Sequence, residues 1–361
     1  MNYQNIRRKT KEIVVGGIGI GGDHPIAIQS MTNTDPHDIM ATAAQIIRLQ
    51  EAGCDIVRMT VPDMEAAEAI PAIRAQGVNI PLVADIHFDY RVALRCAELG
   101  IDKIRINPGN IGDESRVRQV AEACRERHIP IRIGVNSGSL EKHLLAQYGG
   151  PTAQALCDSA LYHCALLEKY DFQDIVVSIK ASDVQTMVEA NRLLARACAY
   201  PLHLGVTEAG AGEMGMTKSA IGIGSLLLDG IGDTLRVSLT NDPVHEILAA
   251  RHILDSLQIE GQHGMNIVSC PTCGRTKIDL IALCERFKQV VRNEGLDRLP
   301  ITVALMGCVV NGPGEAREAD IGIAGGQGEG LLFRHGEIIE KLPENELIPR
   351  LIAEIRAMDK P

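Results

Sequence analysis

Three cysteines have the spacing of ligands for a metal or a metal cluster. Cys270 and Cys273 form a C-x-x-C pair in CPTCG, and Cys308 lies in MGCVVNGPGE, whose turn residues let Cys308, Asn311 and Glu315 converge. Alone, a C-x-x-C pair fits structural zinc, a redox dithiol or an iron–sulfur centre. Zinc normally takes a second Cys or His pair, which does not follow here, and a dithiol motif would need its own β-α-β setting. Three thiolates plus a non-cysteine group would leave one iron of a four-iron cluster open to substrate, as a Lewis acid requires.

The residues around these cysteines predict their local structure. Thr276-x-x-Asp279 indicates the start of a helix that runs to about residue 294, whose first N–H groups would stabilise an anionic centre. The other cysteines fall mostly at apolar-face positions of helices, so we expect them in the core. They are Cys54, Cys96, Cys124, Cys157, Cys164, Cys198 and Cys284.

A second group of polar side chains recurs at every other position near the ends of strand-like segments. Alternate residues share one face of a strand. An outward face would meet apolar helices, where an unpaired arginine is costly, whereas the inward face at the mouth of a barrel is where active sites lie. Cations dominate, which predicts a small anionic, phosphorylated substrate. They are Arg58, Arg105, Arg132, Lys180 and Arg236, against Asp85 and Glu208.

Further candidates follow these strands. Glu208, in VTEAG, should stay ionised beside the cations, where it would bind a substrate hydroxyl or transfer a proton. His87 ends the pattern Asp-Ile-His. We expect Lys218 and Ser219 in the seventh βα loop, and the glycines of 222–225 close to a phosphate-binding corner.

The elements that must position these residues repeat regularly. Eight strand-like segments alternate with helical patterns, which is the arithmetic of a TIM (β/α)8 barrel in the α/β class; an open doubly wound sheet is the alternative. The segments are 26–32, 56–61, 81–87, 103–108, 131–138, 175–182, 202–210 and 234–240. After about residue 260 the rhythm changes to that of a smaller α+β domain. We therefore expect a barrel over 1–258 and a cluster-binding domain over 265–361, joined by a linker within 255–265.

The stretch from Gly17 to Gly22 matches G-x-G-x-x-G. A dinucleotide site would need a helix opening on these glycines, but Asp23, His24 and Pro25 follow, and then another strand. The stretch is better interpreted as a turn between two strands at the floor of the barrel.

Composition narrows the function classes. There are 36 basic and 46 acidic side chains, a net charge of −10, which argues against general binding to nucleic acid or anionic membranes. Aromatic residues make up 3% and Trp is absent, so stacking platforms for single-stranded nucleic acid are not expected. The N-terminus lacks the pattern of a signal peptide and no apolar run is long enough to span a membrane, so we expect a cytoplasmic protein with reduced cysteines.

Six segments together resemble the family of 4-hydroxy-3-methylbut-2-enyl diphosphate synthases, iron–sulfur enzymes of the non-mevalonate isoprenoid pathway. They are CPTCG, GCVVNGPGEA, KIRINPGN, IRIGVNSGSL, VTEAG and GIGDTLRVSLT. The resemblance covers essentially the whole chain in the two-domain bacterial form. It implies reductive ring opening and dehydroxylation of 2-C-methyl-D-erythritol 2,4-cyclodiphosphate to 4-hydroxy-3-methylbut-2-enyl diphosphate, with two electrons passing through a [4Fe-4S] cluster.

The resemblance also implies residue roles and partners. Cys270, Cys273 and Cys308 would bind three irons, and Glu315 would bind the fourth until a substrate oxygen replaces it, with Asn311 beside it. The diphosphate would be held by Arg58, Arg105, Arg132, Lys180 and Ser238, with Asn136, His87 and Glu208 near the substrate. A reduced flavodoxin or ferredoxin would donate electrons. In a head-to-tail homodimer the barrel mouth would face the cluster domain of the other subunit.

Two other interpretations compete with this one. A pterin-dependent barrel enzyme resembling dihydropteroate synthase would explain Asp-Ile-His and the Asn-Ser-Gly loop, but would leave the three cysteines without a role. A non-enzymatic electron carrier would need a fourth strong ligand and would have no use for five cations in a barrel mouth.

Overall fold

The computed structural model describes residues 6–111, 113–259, 264–308 and 316–359, with the backbone alone at 108 and 109. The chain divides into two compact units, Met1–Leu257 and Gln258–Pro361. Residues 260–263 of the expected linker, and Asn311 and Glu315, lie outside the described residues.

The first unit opens with a β-hairpin. Strands β1 (Ile13–Val15) and β2 (Ile18–Ile20) pair antiparallel, and Gly16 and Gly17 make the turn with φ of +54° and +90°. The next element after the glycines is a strand, so the expectation that no helix opens on them is confirmed. The stretch itself is a turn only at its ends, because Ile18–Ile20 within it form β2. The hairpin packs against the starts of three barrel strands, in an apolar cluster of Val15, Ile20, Ala27, Ile56 and Val83.

Eight parallel strands form the barrel. They are β3 (Ala27–Met31), β4 (Ile56–Thr60), β5 (Leu82–Asp85), β6 (Lys103–Ile106), β7 (Ile131–Asn136), β8 (Ile175–Lys180), β9 (His203–Leu204) and β10 (Thr234–Leu235). Their hydrogen-bonded order is β8-β7-β6-β5-β4-β3-β10-β9, and a parallel bridge between Val177 and Leu202 joins the two ends. The predicted TIM barrel is confirmed, although β9 and β10 are only two residues long.

Helices follow the strands around the barrel. They are α1 (Ile39–Glu51), α2 (Met64–Ala75), α3 (Tyr90–Glu98), the short α4 (Pro108–Ile111), α5 (Glu114–Glu126), α6 (Lys142–Tyr148), α7 (Ala153–Glu168), α8 (Val184–Ala197), α9 (Gly212–Leu228) and α10 (Pro243–Ser256). Six of these described helices begin after an aspartate whose side chain accepts a hydrogen bond from a first-turn N–H. Each such cap stabilises a helix by about 1 kcal/mol and starts it at the end of the barrel where the strands finish. None of the described helices is both long and apolar enough to cross a bilayer.

The second unit contains one five-stranded sheet. Its elements are β11 (Asn266–Ser269), α11 (Leu280–Asn293), β12 (Thr302–Met306), β13 (Ile321–Gly325), β14 (Glu329–Arg334), β15 (Glu337–Pro343) and α12 (Leu347–Met358). β11, β12 and β13 run parallel, and β13, β14 and β15 run antiparallel. Apolar faces of α11 and α12 pack on one face of the sheet around Phe287, Leu305 and Leu351. The predicted α+β architecture is confirmed.

Candidate functional site

The five predicted cations gather inside the mouth of the barrel. Arg105, Arg132 and Lys180 are buried, and Arg58 and Arg236 are half-buried. Arg58 and Arg236 contact the same sulfur of Met31, and Arg58 and Arg105 lie beside the same carboxylate of Asp85. Burial, followed by the charges of the four arginines, lowers the pKa of Lys180 well below its usual value. The period-two pattern therefore identified the inward faces of these strands. We call these five side chains the mouth cations.

Asp85 joins two of the mouth cations. Arg105 Nη1 donates to Asp85 Oδ1 at 3.0 Å, and Arg58 Nε lies 3.8 Å from Oδ2. Burial by itself would raise the pKa of Asp85, but Arg58, Arg105 and Arg132 outweigh it, so the pKa falls below its usual value. Asp85 is therefore a carboxylate that holds guanidinium groups in place.

Glu246, a residue that the sequence analysis missed, holds a third mouth cation. It lies on α10, is 2% exposed, and accepts two hydrogen bonds from Arg236, at 3.0 Å from Nε and 2.9 Å from Nη2. Ser30 Oγ donates to the same carboxylate at 2.9 Å, and the Leu239 N–H donates at 3.2 Å. Glu246 thus fixes both Arg236 and the backbone beside Ser238. The sequence alone does not reveal this role, because a glutamate near the start of a helix usually faces water. Only the tertiary contacts of Glu246 show it.

Met31, at the end of β3, was also missed. Its sulfur accepts hydrogen bonds from Arg58 Nε at 3.0 Å and Nη2 at 2.8 Å, and from Arg236 Nη1 at 3.5 Å. A thioether is a weak acceptor and carries no charge. Within the described residues, the carboxylates paired with mouth cations are those of Asp85 and Glu246. The mouth cations therefore outnumber the carboxylates that pair with them.

Two glycines make room for the mouth cations. A Cβ on Gly134 would lie 2.5 Å from Arg105 Nε, and one on Gly205 would lie 3.0 Å from Lys180 Nζ. Both distances are shorter than ordinary contacts between heavy atoms. The absence of side chains at these two inward positions lets the cationic chains extend across the barrel.

Lys103 is another buried polar residue of the barrel, and it lies two residues before Arg105 on the same face of β6. Lys103 is fully buried and its Nζ has no hydrogen-bond partner among the described residues. Both side-chain amide atoms of Gln29, and Nε2 of His203, also have no hydrogen-bond partner among the described residues. The other ring nitrogen of His203, Nδ1, lies 2.7 Å from Thr234 Oγ1. Burial, with Arg132 and Arg58, lowers the pKa of Lys103 to about 7. The sequence analysis missed Lys103, although it occupies the alternate position on β6 that the period of Arg105 marks.

The remaining predicted residues occupy the ends of the strands and the loops that follow them. Asn136 ends β7 and is half-buried, Ser238 is half-buried beyond β10, and His87 is exposed after β5. Positive charge on His87 would reach Asp85 and contribute to lowering its pKa. Glu208 is exposed and has a φ of +50°, an uncommon conformation for a residue other than glycine.

The expectation for Lys218 and Ser219 is wrong. Both residues, and the glycines of 222–225, lie inside α9, which begins at Gly212. A Cβ on Gly222 would lie 2.7 Å from Met187 and 2.8 Å from Val206, so this glycine lets α9 pack closely. Backbone N–H groups inside a helix are already bonded and are not free to bind a phosphate.

In the second unit, Cys270 and Cys308 follow neighbouring parallel strands. Ser269 is level with Leu305 in the sheet, so both cysteines emerge at the carboxyl ends of β11 and β12. The Gly307 N–H donates to Cys270 Sγ at 3.2 Å, which joins the loop of Cys308 to the C-x-x-C pair.

Cys273 lies on the same pair of loops. A Cβ on Gly307 would lie 2.8 Å from Thr276, whose hydroxyl accepts the Cys273 N–H at 3.1 Å. The backbone and side chain of Arg275 donate hydrogen bonds that lower the pKa of the exposed Cys273 thiol, which favours the ligating thiolate.

The predicted helix start at Thr276 is wrong. The helix begins at Leu280, because Asp279 caps it by accepting the Ala282 N–H at 3.0 Å. The N–H groups that polarise the cysteines come instead from Arg275 and Gly307. Cys284 packs against the apolar core, as predicted.

Two family models match the chain. The GcpE TIM-barrel domain matches residues 10–251 and the GcpE protein C-terminal domain matches residues 266–357. The chain belongs to the GcpE family. A relative from Clostridium perfringens, named 4-hydroxy-3-methylbut-2-en-1-yl diphosphate synthase (flavodoxin), is 58% identical over 96% of this chain and 98% of its own length. A relative of the same name from Geobacter sulfurreducens is 57% identical over 97% and 98%. The resemblance inferred from the motifs is confirmed.

Solved structures add a likeness of fold. Dihydropteroate synthase from Stenotrophomonas maltophilia matches 69% of this GcpE chain and 97% of its own, with a TM-score of 0.51 and 14% identity. A 3-dehydroquinate dehydratase from Geobacillus kaustophilus matches 73% of this chain and all of its own, with a TM-score of 0.50 and 17% identity. At such low identity these matches support the barrel fold alone. The match to dihydropteroate synthase is therefore no evidence of pterin chemistry in this chain.

The cysteine loops of this GcpE chain can be tested against an iron–sulfur group. Among the described residues, no three His, Cys, Asp or Glu side chains are grouped to hold one metal ion. Each thiolate of a cluster binds its own iron, so the three sulfurs do not need to meet at one point. The donor set of thiolates with adjoining N–H groups therefore fits a cluster.

Proposed function

We propose that the mouth cations bind the diphosphate of a cyclic substrate, and that Cys270, Cys273 and Cys308 hold a [4Fe-4S] cluster. The observation that carries the proposal is the imbalance of charge inside the barrel. Five basic side chains are gathered there, and among the described residues only Asp85 and Glu246 supply carboxylates paired with them. A bound diphosphate would oppose the burial and neighbouring charges that lower the pKa of Lys180, and so favour its protonated form. A diphosphate offers the missing negative charge in a form that guanidinium groups recognise.

The reaction follows from membership of the family. The enzyme is an oxidoreductase that converts 2-C-methyl-D-erythritol 2,4-cyclodiphosphate to 4-hydroxy-3-methylbut-2-enyl diphosphate. The conversion takes up two electrons, opens the ring by breaking a carbon–oxygen bond, and removes a hydroxyl group as water, which requires a proton. The site must therefore hold an anion, supply a proton and receive electrons.

The anion is bound by residues that differ in how much of their charge is already paired. Arg105 and Arg236 each bond a carboxylate, whereas no carboxylate is paired with Arg132 or Lys180 among the described residues. We assign the diphosphate chiefly to Arg132 and Lys180, with Arg58, Arg105, Arg236 and Ser238 completing the clamp. The buried position of these groups strengthens each contact, since the local dielectric is low.

Proton transfer and contacts to the sugar-derived carbons fall to the loop residues. Glu208, exposed beyond β9, accepts a hydrogen bond from a substrate hydroxyl or moves a proton to it. His87 and Asn136 lie at the ends of β5 and β7, where they reach the same ligand.

Electrons require a cofactor, for which the second unit offers three cysteines. Cys270, Cys273, Cys308 and Glu315 would hold the cluster, with Asn311 beside it, as the family resemblance implies, and a cluster held there would supply single electrons and Lewis acidity. The Cys273 thiol is disposed to ligate because its pKa is lowered by Arg275. The N–H of Gly307 bonds the Cys270 sulfur, as donors do around cluster sulfurs.

Partners and compartment follow from the same chemistry. We propose reduced flavodoxin as the electron donor, since the relatives are named for it, with ferredoxin as a substitute. We also propose a homodimer in which the cluster unit of one chain serves the barrel of the other. The free thiols of all ten cysteines suit the reducing cytoplasm.

The proposal is tested by anaerobic turnover of the cyclodiphosphate with reduced flavodoxin, followed by phosphorus NMR, which separates the cyclic from the linear diphosphate. We expect the wild-type chain and an Arg118→Met control, which removes an exposed charge paired with Glu122, to form product. Arg132→Met should raise KM at least tenfold, because a buried charged contact to the diphosphate is lost. No product from cluster-loaded wild type, or equal KM for all three proteins, would overturn it.

A further inference from the structure

Met31 occupies an unusual position for an apolar residue. Its sulfur accepts three guanidinium N–H contacts, two from Arg58 at 3.0 and 2.8 Å and one from Arg236 at 3.5 Å. Two like charges thus share one neutral atom. Methionine in a protein interior usually contacts carbon atoms or aromatic rings, so packing alone does not account for this arrangement.

The contacts extend into a chain across neighbouring strands. Glu246 holds Arg236 from one end and Asp85 lies beside Arg58 and Arg105 at the other. Met31 is the link between these two carboxylate-anchored parts. We call Arg236, Arg58 and Arg105 the arc. Because Met31, and not a carboxylate, lies between Arg236 and Arg58, the arc carries three positive charges against the two negative charges of Glu246 and Asp85.

The chemistry of the sulfur explains why this link is neutral. A thioether is polarizable and accepts weak hydrogen bonds, so it orients guanidinium groups without cancelling their charge. A carboxylate at the same place would bind both arginines tightly and would neutralise the attraction that an incoming diphosphate needs. An aliphatic side chain would leave the Arg58 N–H groups without that acceptor.

We propose that Met31 is a positioning residue that holds Arg58 and Arg236 in one arc over the barrel mouth while leaving both charges available to the anionic substrate. This inference rests on the proposed function and adds the means by which the clamp is preorganised. Met31 acts through the two arginines, and its effect belongs to binding of the diphosphate rather than to electron transfer.

The test uses the full-length protein and two readouts. Binding of inorganic diphosphate is measured by calorimetry, and KM and kcat for the cyclodiphosphate are measured on the cluster-loaded enzyme. Met31→Leu should weaken diphosphate binding and raise KM by about tenfold, the equivalent of about 1.4 kcal/mol, with kcat within about twofold. Met31→Gln, which restores an acceptor, should stay within about threefold of wild type, and Met31→Glu should lose more than Met31→Leu.

Met59→Leu is the matched control, since Met59 is fully buried on β4. As the residue next to Arg58 on that strand, it belongs to the opposite face. It should bind diphosphate like wild type, and thermal melts should show that all variants are folded. If Met31→Leu binds diphosphate as wild type does, or if Met31→Gln loses as much as Met31→Leu, the role of Met31 is refuted while the clamp stands. If wild type itself binds no diphosphate, the proposed function falls first and the inference falls with it.

Discussion

Replacing Lys103 by methionine should stabilise the protein at neutral pH. Lys103 is fully buried, its Nζ has no hydrogen-bond partner among the described residues, and burial with Arg132 and Arg58 lowers its pKa from 10.5 to about 7. Between pH 7 and 10.5 the unfolded chain binds the proton that the folded chain gives up, so this group makes stability rise with pH. At 1.36 kcal/mol per pKa unit, it destabilises the fold by roughly 4 kcal/mol at pH 7 and roughly 2 kcal/mol at pH 9.

Lys103→Met removes this titrating group. The free energy of unfolding of the variant should exceed that of wild type by roughly 4 kcal/mol at pH 7 and by roughly 2 kcal/mol at pH 9. We would measure urea unfolding of the chain at pH 7 and 9, with amide exchange of β5, β6 and β7 to report on the barrel unit. Lys142→Met is the control, because Lys142 is exposed at the start of α6 and should change stability by less than about 0.5 kcal/mol. If Lys103→Met is no more stable than wild type, or has the same pH slope, then Lys103 is charged and compensated, and the reasoning is wrong.

Three further outcomes follow from the contacts. Glu246→Gln should raise KM about tenfold, measured by turnover, because the buried charge-assisted pair with Arg236 is weakened; an unchanged KM would remove Glu246 from the clamp. Gly134→Ala should displace Arg105, since the added Cβ would lie 2.5 Å from its Nε, and calorimetry should show weaker diphosphate binding; wild-type binding would mean that Arg105 has space to move. From the family resemblance, Glu315→Gln should abolish turnover with iron and sulfide still bound; full activity would exclude Glu315 from the reaction.

The barrel could be predicted because its signals are local. Alternation placed Arg58, Arg105 and Arg132 on the inward faces of their strands, and the residues after Gly22 excluded a helix there. The cysteine pair was visible for the same reason, since its spacing is a property of a few consecutive residues. What these signals share is that each can be checked without knowing what the segment packs against.

The missed features depend on tertiary contacts. Glu246 and Met31 are ordinary helix and strand residues until α10 and β3 bring them to Arg236 and Arg58. The start of α11 at Leu280 was decided by the cap of Asp279 over the competing signal of Thr276. The placement of Lys218 failed similarly, because α9 extends to Gly212 and includes residues with loop-like composition.

The central claim is that this barrel enzyme works through a three-cysteine iron–sulfur cluster. The most direct measurement is an anaerobic ultraviolet–visible spectrum of the purified protein, with iron and acid-labile sulfide counted on the same sample. We expect a broad brown absorption and about four irons and four sulfides per chain. A colourless protein that stays free of iron after anaerobic reconstitution would contradict the claim and leave the barrel without its source of electrons.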